Sequence, residues 1–227
     1  MASIKTLIPA LLLTAAILCG IIIAVGSSMN PFILPSTSLS GSSSTSQTTS
    51  SMQPQDVMTV RGERAYTYLK RICELGPRPS GSDALEQHRI LVEKHFTDLG
   101  ADVVRQPFQA RHPISRKKVA FANIIASWNS KRQPRVLVAA HYDTRPYPDR
   151  DPNPEKRRDP FIGANDGASG VAVLMELAHF LNRINGPYGI DLILFDGEEL
   201  VYDEKGTYFL GSRHFAREYR RNRQAIR

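Results

Sequence analysis

Cysteine is nearly absent from this 227-residue chain, which contains only Cys19 and Cys73. Cys19 lies in an apolar N-terminal segment and Cys73 lies on a predicted helix, so we do not expect the two thiols to meet. The sequence therefore excludes a small scaffold that depends on a disulfide framework. The length is instead sufficient for one domain with a hydrophobic core of its own.

Charge is missing altogether from residue 6 to residue 55. An almost unbroken apolar run of about 20 residues ends at Gly26 and is long enough to cross a bilayer core of about 30 Å. Because the apolar core of a cleaved signal peptide is shorter, we predict that residues 1–26 form an uncleaved signal anchor, a transmembrane helix. A cleaved, secreted form is the alternative. Lys5 is the one charged side chain before the run, so the N-terminus is placed in the cytoplasm and the domain outside it, in the periplasm or extracellular space.

Residues 27–55 lack the apolar side chains that a folded segment needs and are rich in Ser, Thr and Gln. Such a segment cannot bury enough surface to offset the entropy that ordering costs. We therefore predict a disordered linker over 27–55 and a folded domain over 56–227.

A nucleic-acid-binding stripe is also missing, although the formal net charge is +7. Much of the positive excess lies in Lys156-Arg157-Arg158 and in the tail from Arg217 to Arg227. No aromatic residues interleave with these charges in a recognised nucleic-acid motif, so no nucleic-acid partner is predicted. We interpret the tail as a solvated helix end rather than a lipid-binding surface.

The domain shows helical and strand patterns in alternation. Helices are predicted near 65–75, 83–99, 167–181 and 208–221, and strands near 103–108, 119–128, 135–140 and 190–195. The strand near 135–140 is apolar throughout, as in strands that are covered on both faces, and the strand near 190–195 is also predicted to be buried. The sequence therefore predicts an α/β fold with a mostly parallel, mixed sheet between two layers of helices.

Three polar clusters lie where such a fold places its functional site, at the carboxyl ends of strands. They are His141-Tyr142-Asp143, the loop with Asp166 (163–167), and Asp196-Gly197-Glu198-Glu199. Each has an ordinary structural alternative: a strand-end histidine, a helix N-cap and a solvated turn.

Glu198 and Glu199 form an awkward pair, because neighbouring carboxylates raise each other's pKa. A bound dication would reverse that effect and favour both ionised forms. His, Asp and Glu are ligands that Zn²⁺ accepts, and Asp143 suits a carboxylate that orients His141. The residues alone leave a zinc site and a solvated turn as open alternatives.

The same clusters carry a family resemblance. Four stretches resemble the successive motifs of the M28 zinc peptidase family: VLVAAHYDTRP (136–146), GANDGASGVAVLMELA (163–178), LILFDGEEL (192–200) and YFLGSRHFA (208–216). LGPRPSGS (75–82) resembles the family's opening helix-to-loop segment. The resemblance covers about residues 60–220 and implies a fold similar to that of zinc exopeptidases.

Two branches of the family imply different chemistry. Resemblance to aminopeptidases implies two zinc ions, with His141 on one, Asp166 bridging both, Glu199 on the other and Glu198 as general base. Resemblance to glutaminyl-peptide cyclotransferases implies one zinc ion held by Asp166 and Glu199, with Glu198 as the acid/base and no role for His141 as a ligand. FDGEE and GSRHFA resemble the cyclotransferases more, whereas GANDGASG resembles the peptidases more. We favour the cyclotransferase branch, which acts on peptide and protein N-termini.

The third zinc ligand of the family, a histidine, is expected beyond the stretch that matches residue 216, where this sequence has eleven further residues. The last strands of the family fold are likewise expected to be missing. A truncated, membrane-tethered remnant without catalysis is therefore the third hypothesis.

Overall fold

The computed structural model describes residues 22–25, 59–202 and 206–225, with side chains for 59–202 and 206–221. Five strands and four α-helices are found in these residues. The strands are β1 (Ile22–Val25), β2 (Asp102–Arg111), β3 (Lys118–Trp128), β4 (Arg135–His141) and β5 (Gly189–Phe195). The helices are α1 (Gly62–Cys73), α2 (Asp83–Asp98), α3 (Gly170–Leu181) and α4 (Leu210–Ala225).

The described strands form one mixed sheet in the order β1-β4-β5-β3-β2. The expectation of a mostly parallel sheet is wrong, because β4 and β5 are the one parallel pair in the described part of the chain. Six residues, 112–117, separate β2 from β3, and so short a connection can join only antiparallel neighbours. α3 lies between β4 and β5 in sequence and forms the crossover that lets these two strands run parallel.

Side chains that alternate along the central strands build two hydrophobic clusters, one on each face of the sheet. Leu192 and Leu194 of β5 point into the larger cluster, where α1, α2 and α3 pack, and Trp128 of β3 joins them. Ile193 and Phe195 point to the opposite face, where Phe215 of α4 packs against them. Helices therefore lie on both faces, as predicted, and β5 is buried along its whole length.

The β2–β3 hairpin extends past the end of β5. β3 pairs with β5 from Ile124 to Trp128, opposite Leu194 to Ile190, so the earlier half of β3 and the turn continue beyond the carboxyl end of β5. In the turn, Nδ1 of His112 accepts hydrogen bonds from two backbone amides, which leaves Nε2 to donate to the hydroxyl oxygen of Tyr202 at 3.0 Å. The turn of the hairpin is thus hydrogen-bonded to the segment that follows β5.

The predicted membrane anchor, residues 1–26, lies outside the described residues except for Ile22–Val25. These four β-branched and small residues pair antiparallel with β4, from Val25 opposite Val136 to Ile22 opposite Ala139. None of the helices in the described residues has the length and apolar character required to span a bilayer. At Ile22–Val25 the predicted helix is therefore wrong, because these residues form a strand. The rest of the anchor and the linker predicted over 27–55 lie outside the described residues and stay predictions.

Candidate functional site

Asp143 joins the ends of the two parallel strands. It follows β4 by two residues and is fully buried, and its carboxylate accepts the backbone N–H groups of Glu198 at 3.1 Å and Glu199 at 2.9 Å. Both donors lie directly after β5. The segment that carries the glutamate pair is therefore fixed to the loop after β4 by a charged acceptor, and such charge-assisted bonds are stronger than neutral ones.

A buried polar network surrounds Asp143. Ser80 donates to Asp196 at 2.7 Å, and its oxygen lies 3.4 Å from Asp143. Asp196 also accepts from Arg89 of α2 at 3.0 Å and from the backbone N–H of Ala122 at 2.9 Å. Burial raises the pKa of Asp196, and the neighbouring Asp143 carboxylate raises it further. Sequence reasoning missed Ser80, although it lies in LGPRPSGS, because nothing local shows which strand end that segment reaches.

The turn that presents Asp166 depends on two glycines. Gly163 and Gly167 have φ values of 58° and 91°, in the left-handed region that favours glycine. A Cβ atom at Gly167 would lie 2.3 Å from the backbone oxygen of Asp143. Asp166 between them has an extended backbone, with φ −94° and ψ 107°, which turns its side chain away from the helix that follows. Asp166 is thus not the helix N-cap that its position before glycine allowed.

His141 ends β4 between two carboxylates. Its Nε2 lies 3.1 Å from Oδ1 of Asp166, and its Nδ1 lies 3.6 Å from Oδ1 of Asp143, which is too long for a hydrogen bond. Burial lowers the pKa of His141, but the two carboxylates outweigh burial and raise the pKa to about 11. The hydrogen bond with His141 lowers the pKa of Asp166. The structure therefore brings His141 and Asp166, which are 25 positions apart, into direct contact.

The glutamate pair faces a concentration of negative charge. Burial raises the pKa of Glu198, and the carboxylates of Asp143, Glu199 and Asp166 raise it further, against the opposing charge of His141. Burial likewise raises the pKa of Glu199, although Arg145 partly offsets this. The charges of Asp143 and Asp166 thus act on both glutamates.

Arg145 is the cation that meets Glu199. It lies in the loop after β4, is 10% exposed, and donates from Nε to Oε2 of Glu199. The sequence contains Arg145 within VLVAAHYDTRP, but periodicity and spacing gave it no role. A charged residue four positions after a strand is usually solvated, so only the three-dimensional structure shows that Arg145 contacts Glu199.

The donor chemistry of this cluster fits a zinc ion, and the described residues supply part of a ligand set. Asp166 and Glu199 offer carboxylate oxygens, and a dication would offset the crowding of negative charge. Within residues 59–202 and 206–221, no three His, Cys, Asp or Glu side chains are arranged as a metal-holding group. Catalytic zinc usually has three protein ligands, so the described set is one ligand short for the single-ion arrangement.

The other histidines of the chain lie elsewhere in the fold. His95 and His179 form an aromatic cluster with Tyr68 among α1, α2 and α3. His214 stacks on Phe108, and His88 is fully buried beside Tyr142. The contacts of the described residues place none of them, nor His112 in the hairpin turn, beside Asp166.

Part of this chain is similar to a known class of peptidases. Residues 123–227 match the family model described as Peptidase family M28, and the motif resemblance predicted from the sequence is confirmed. Within that class, the chain is similar to glutaminyl-peptide cyclotransferases. It is 32% identical over 150 residues to the glutaminyl-peptide cyclotransferase-like protein of Mus musculus, covering 61% of this chain and 37% of the mouse protein.

Solved structures support the same relationship. The glutaminyl cyclase of Fimbriiglobus ruber superposes with a TM-score of 0.70 and 39% identity, covering 73% of this chain and 57% of that chain. A Zn-dependent exopeptidase from Parabacteroides distasonis superposes with a TM-score of 0.64 and 33% identity, covering 69% and 56% of the two chains. The family match and this neighbour suggest zinc as the metal. The chain spans well under two thirds of the length of each of these three proteins.

Proposed function

We propose that this chain is a zinc-dependent, glutaminyl-peptide cyclotransferase-like enzyme. Its reaction would convert the N-terminal Gln of a peptide or protein to pyroglutamate, with release of ammonia. Relatives named as glutaminyl-peptide cyclotransferases support the proposal. The observation that carries it is the placement of Glu198 and Glu199: Asp143 accepts both backbone N–H groups, which fixes the pair after the end of β5, and the charge of Asp166 acts on both carboxylates.

In this proposal the two glutamates have unequal tasks. Asp166 and Glu199 would hold one zinc ion, which when bound supplies a Lewis acid that polarises the γ-carboxamide of the substrate. Glu198 accepts a proton from the α-amine as its nitrogen attacks the side-chain carbonyl carbon. Glu198 then donates a proton to the amide nitrogen as the carbon–nitrogen bond breaks and ammonia leaves. Because both reacting groups belong to one residue, orientation supplies much of the rate enhancement.

The test uses the full chain purified in detergent and loaded with zinc. We expect ammonia release and ring closure with a Gln-initiated peptide, followed by enzyme-coupled detection of ammonia and by the 17 Da mass loss. A matched Leu-initiated amide should not be hydrolysed. Release of free leucine without any ring closure would contradict the proposal.

Glu198→Gln separates proton transfer from metal binding. The variant keeps the size and the backbone N–H that Asp143 accepts, but it cannot take up a proton. We expect its zinc content per chain to match that of the wild type while kcat falls by about 100-fold or more. Zinc is measured by mass spectrometry and kcat by ammonia release, and an unchanged kcat would remove Glu198 from its assigned task.

Aminopeptidase chemistry with two zinc ions is the second candidate. The 3.1 Å contact of His141 Nε2 with Asp166 favours it, because it brings together the two side chains that this candidate assigns to one ion. Here Glu198 would take a proton from the attacking water. Two zinc equivalents, lost together with activity in His141→Leu, would support this candidate. Less than one equivalent in the wild type would instead favour the remnant without catalysis.

We further propose that residues 1–26 anchor the enzyme in a membrane and that the domain lies on the extracytoplasmic side. The apolar run that ends at Gly26 and the absence of charge from residue 6 to residue 55 support this location. A tether of that kind would keep the enzyme at a membrane surface where it meets exported peptides and proteins.

A further inference from the structure

Arg145 uses its three guanidinium nitrogens on three different partners. Nε donates to Glu199, Nη1 donates to Asp149 at 2.6 Å, and Nη2 donates to the hydroxyl oxygen of Tyr208 at 2.7 Å. The guanidinium carbon also lies 5.6 Å from the centroid of the Tyr208 ring. These partners come from the loops after β4 and β5 and from the segment before α4. A lysine with a single nitrogen could not replace this arrangement.

The positive charge of Arg145 acts on both proposed zinc ligands. It forms an ion pair with Glu199 in a site where Arg145 is 10% exposed and the Glu199 side chain 12% exposed, so solvent screens the pair weakly. Alongside the larger effect of the His141 hydrogen bond, Arg145 also lowers the pKa of Asp166. Arg145 therefore supplies, from within the chain, positive charge of the kind that a metal ion would bring.

A cation next to a metal ligand has two opposite effects. It orients the ligand, which strengthens metal binding, and it repels the metal and withdraws charge from the ligand, which weakens binding. Here Asp143 already holds the backbone of Glu199 through its N–H, at 2.9 Å. Arg145 adds a side-chain contact and a positive charge, and because that contact occupies a carboxylate oxygen that a metal would need, we expect competition to exceed orientation.

We propose that Arg145 is an internal cation that competes with zinc for Glu199: it keeps the carboxylates assembled in the metal-free protein and sets a lower zinc affinity than the ligands alone would give. The proposal rests on the proposed function in one respect, namely that zinc is the ion concerned. Arg145 acts through Glu199 in this scheme and is therefore a positioning residue.

The experiment measures zinc affinity, by competition with a chromophoric chelator, and thermal unfolding with and without zinc. Full-length wild type, Arg145→Met and Arg145→Lys are compared. We expect Arg145→Met to bind zinc about tenfold more tightly or more, because one neighbouring unit charge shifts ionic equilibria by that order. The zinc affinity of Arg145→Lys should stay closer to that of wild type, because lysine keeps the positive charge although it cannot make all three contacts. Metal-free Arg145→Met should unfold at a lower temperature, and zinc should restore more of its stability than it adds to wild type.

Arg135→Met is the matched control. Arg135 pairs with Asp191 at 2.6 Å and has a comparably low exposure, but it lies at the opposite end of β4 from His141. This variant should also unfold at a lower temperature, whereas its zinc affinity should equal that of the wild type. A change of zinc affinity that appeared in both variants would reflect general loosening and would overturn the proposal.

The remaining outcomes are distinguishable. Weaker zinc binding by Arg145→Met would overturn the inference and make Arg145 an orienting residue, without affecting the proposed enzyme activity. Zinc binding by Arg145→Met but not by wild type would support the inference and contradict the proposed activity of the wild-type chain. Absence of zinc binding from both would overturn both proposals.

Discussion

His88 illustrates at the scale of one residue how burial dictates pH dependence. Burial lowers its pKa to about 3, and the nearby charges of Arg78 and Arg89 act in the same direction. In the unfolded chain, histidine takes up a proton near pH 6.5. Between these two pH values the unfolded state therefore binds one more proton than the folded state, and stability is lost as the pH falls through this window.

Replacement of His88 by Leu should remove this contribution. Below about pH 6, the free energy of unfolding of the wild type should fall by about 1.4 kcal/mol per pH unit more than that of His88→Leu. Urea unfolding of both proteins between pH 4.5 and pH 7.5 measures the difference. Leu replacement of His214, which is only partly buried against Phe108, serves as the control and should change the pH slope less. Parallel curves for wild type and His88→Leu would contradict the prediction.

At the scale of one element, the turn before α3 is the part of the site with the least tolerance for change. Gly167 combines a φ of 91° with a Cβ position 2.3 Å from the backbone oxygen of Asp143. Gly167→Ala should therefore lower the free energy of unfolding by about 2 kcal/mol or more and displace Asp166 from His141. Chemical denaturation measures the first effect, and zinc affinity measures the second.

Gly62→Ala is the control for that substitution. Gly62 begins α1, and a Cβ atom there would meet no atom within 4 Å. Alanine at a compatible position stabilises a protein by up to about 1 kcal/mol, because the unfolded chain loses freedom. Equal effects of the two substitutions would show that the turn is not constrained as described.

The same scale shows what the sequence could and could not predict. The buried strands before His141 and Asp196 were predictable, because each is a short, largely apolar run that ends at turn residues. The direction of β3 was not, because strand periodicity is identical in parallel and antiparallel sheets. Contacts between distant positions, such as Asp143 with the amides of Glu198 and Glu199, follow from strand order. The motif resemblance indicated these positions, whereas Arg145 and Ser80 required the structure.

At the scale of the whole molecule, Ile22–Val25 belongs both to the predicted membrane anchor and to the sheet. We predict that the full chain remains in the membrane fraction after carbonate extraction at high pH, whereas residues 56–227 expressed alone do not. Immunoblotting of both fractions measures the distribution. Release of the intact full-length chain by carbonate would contradict the anchor, and a shortened product in the medium would indicate the cleaved, secreted form.

The overhanging β2–β3 hairpin has a consequence for how such an enzyme could diversify. Its turn lies beyond the end of β5, and His112 in the turn contacts Tyr202 in the segment after β5. The residues that would carry the chemistry belong to other loops. Lengthening or shortening the hairpin by whole residue pairs would move its turn but would leave the pairing of β3 with β5 and the loops that carry the carboxylates unchanged. The hairpin is thus a segment whose length selection could change without disturbing the carboxylate cluster.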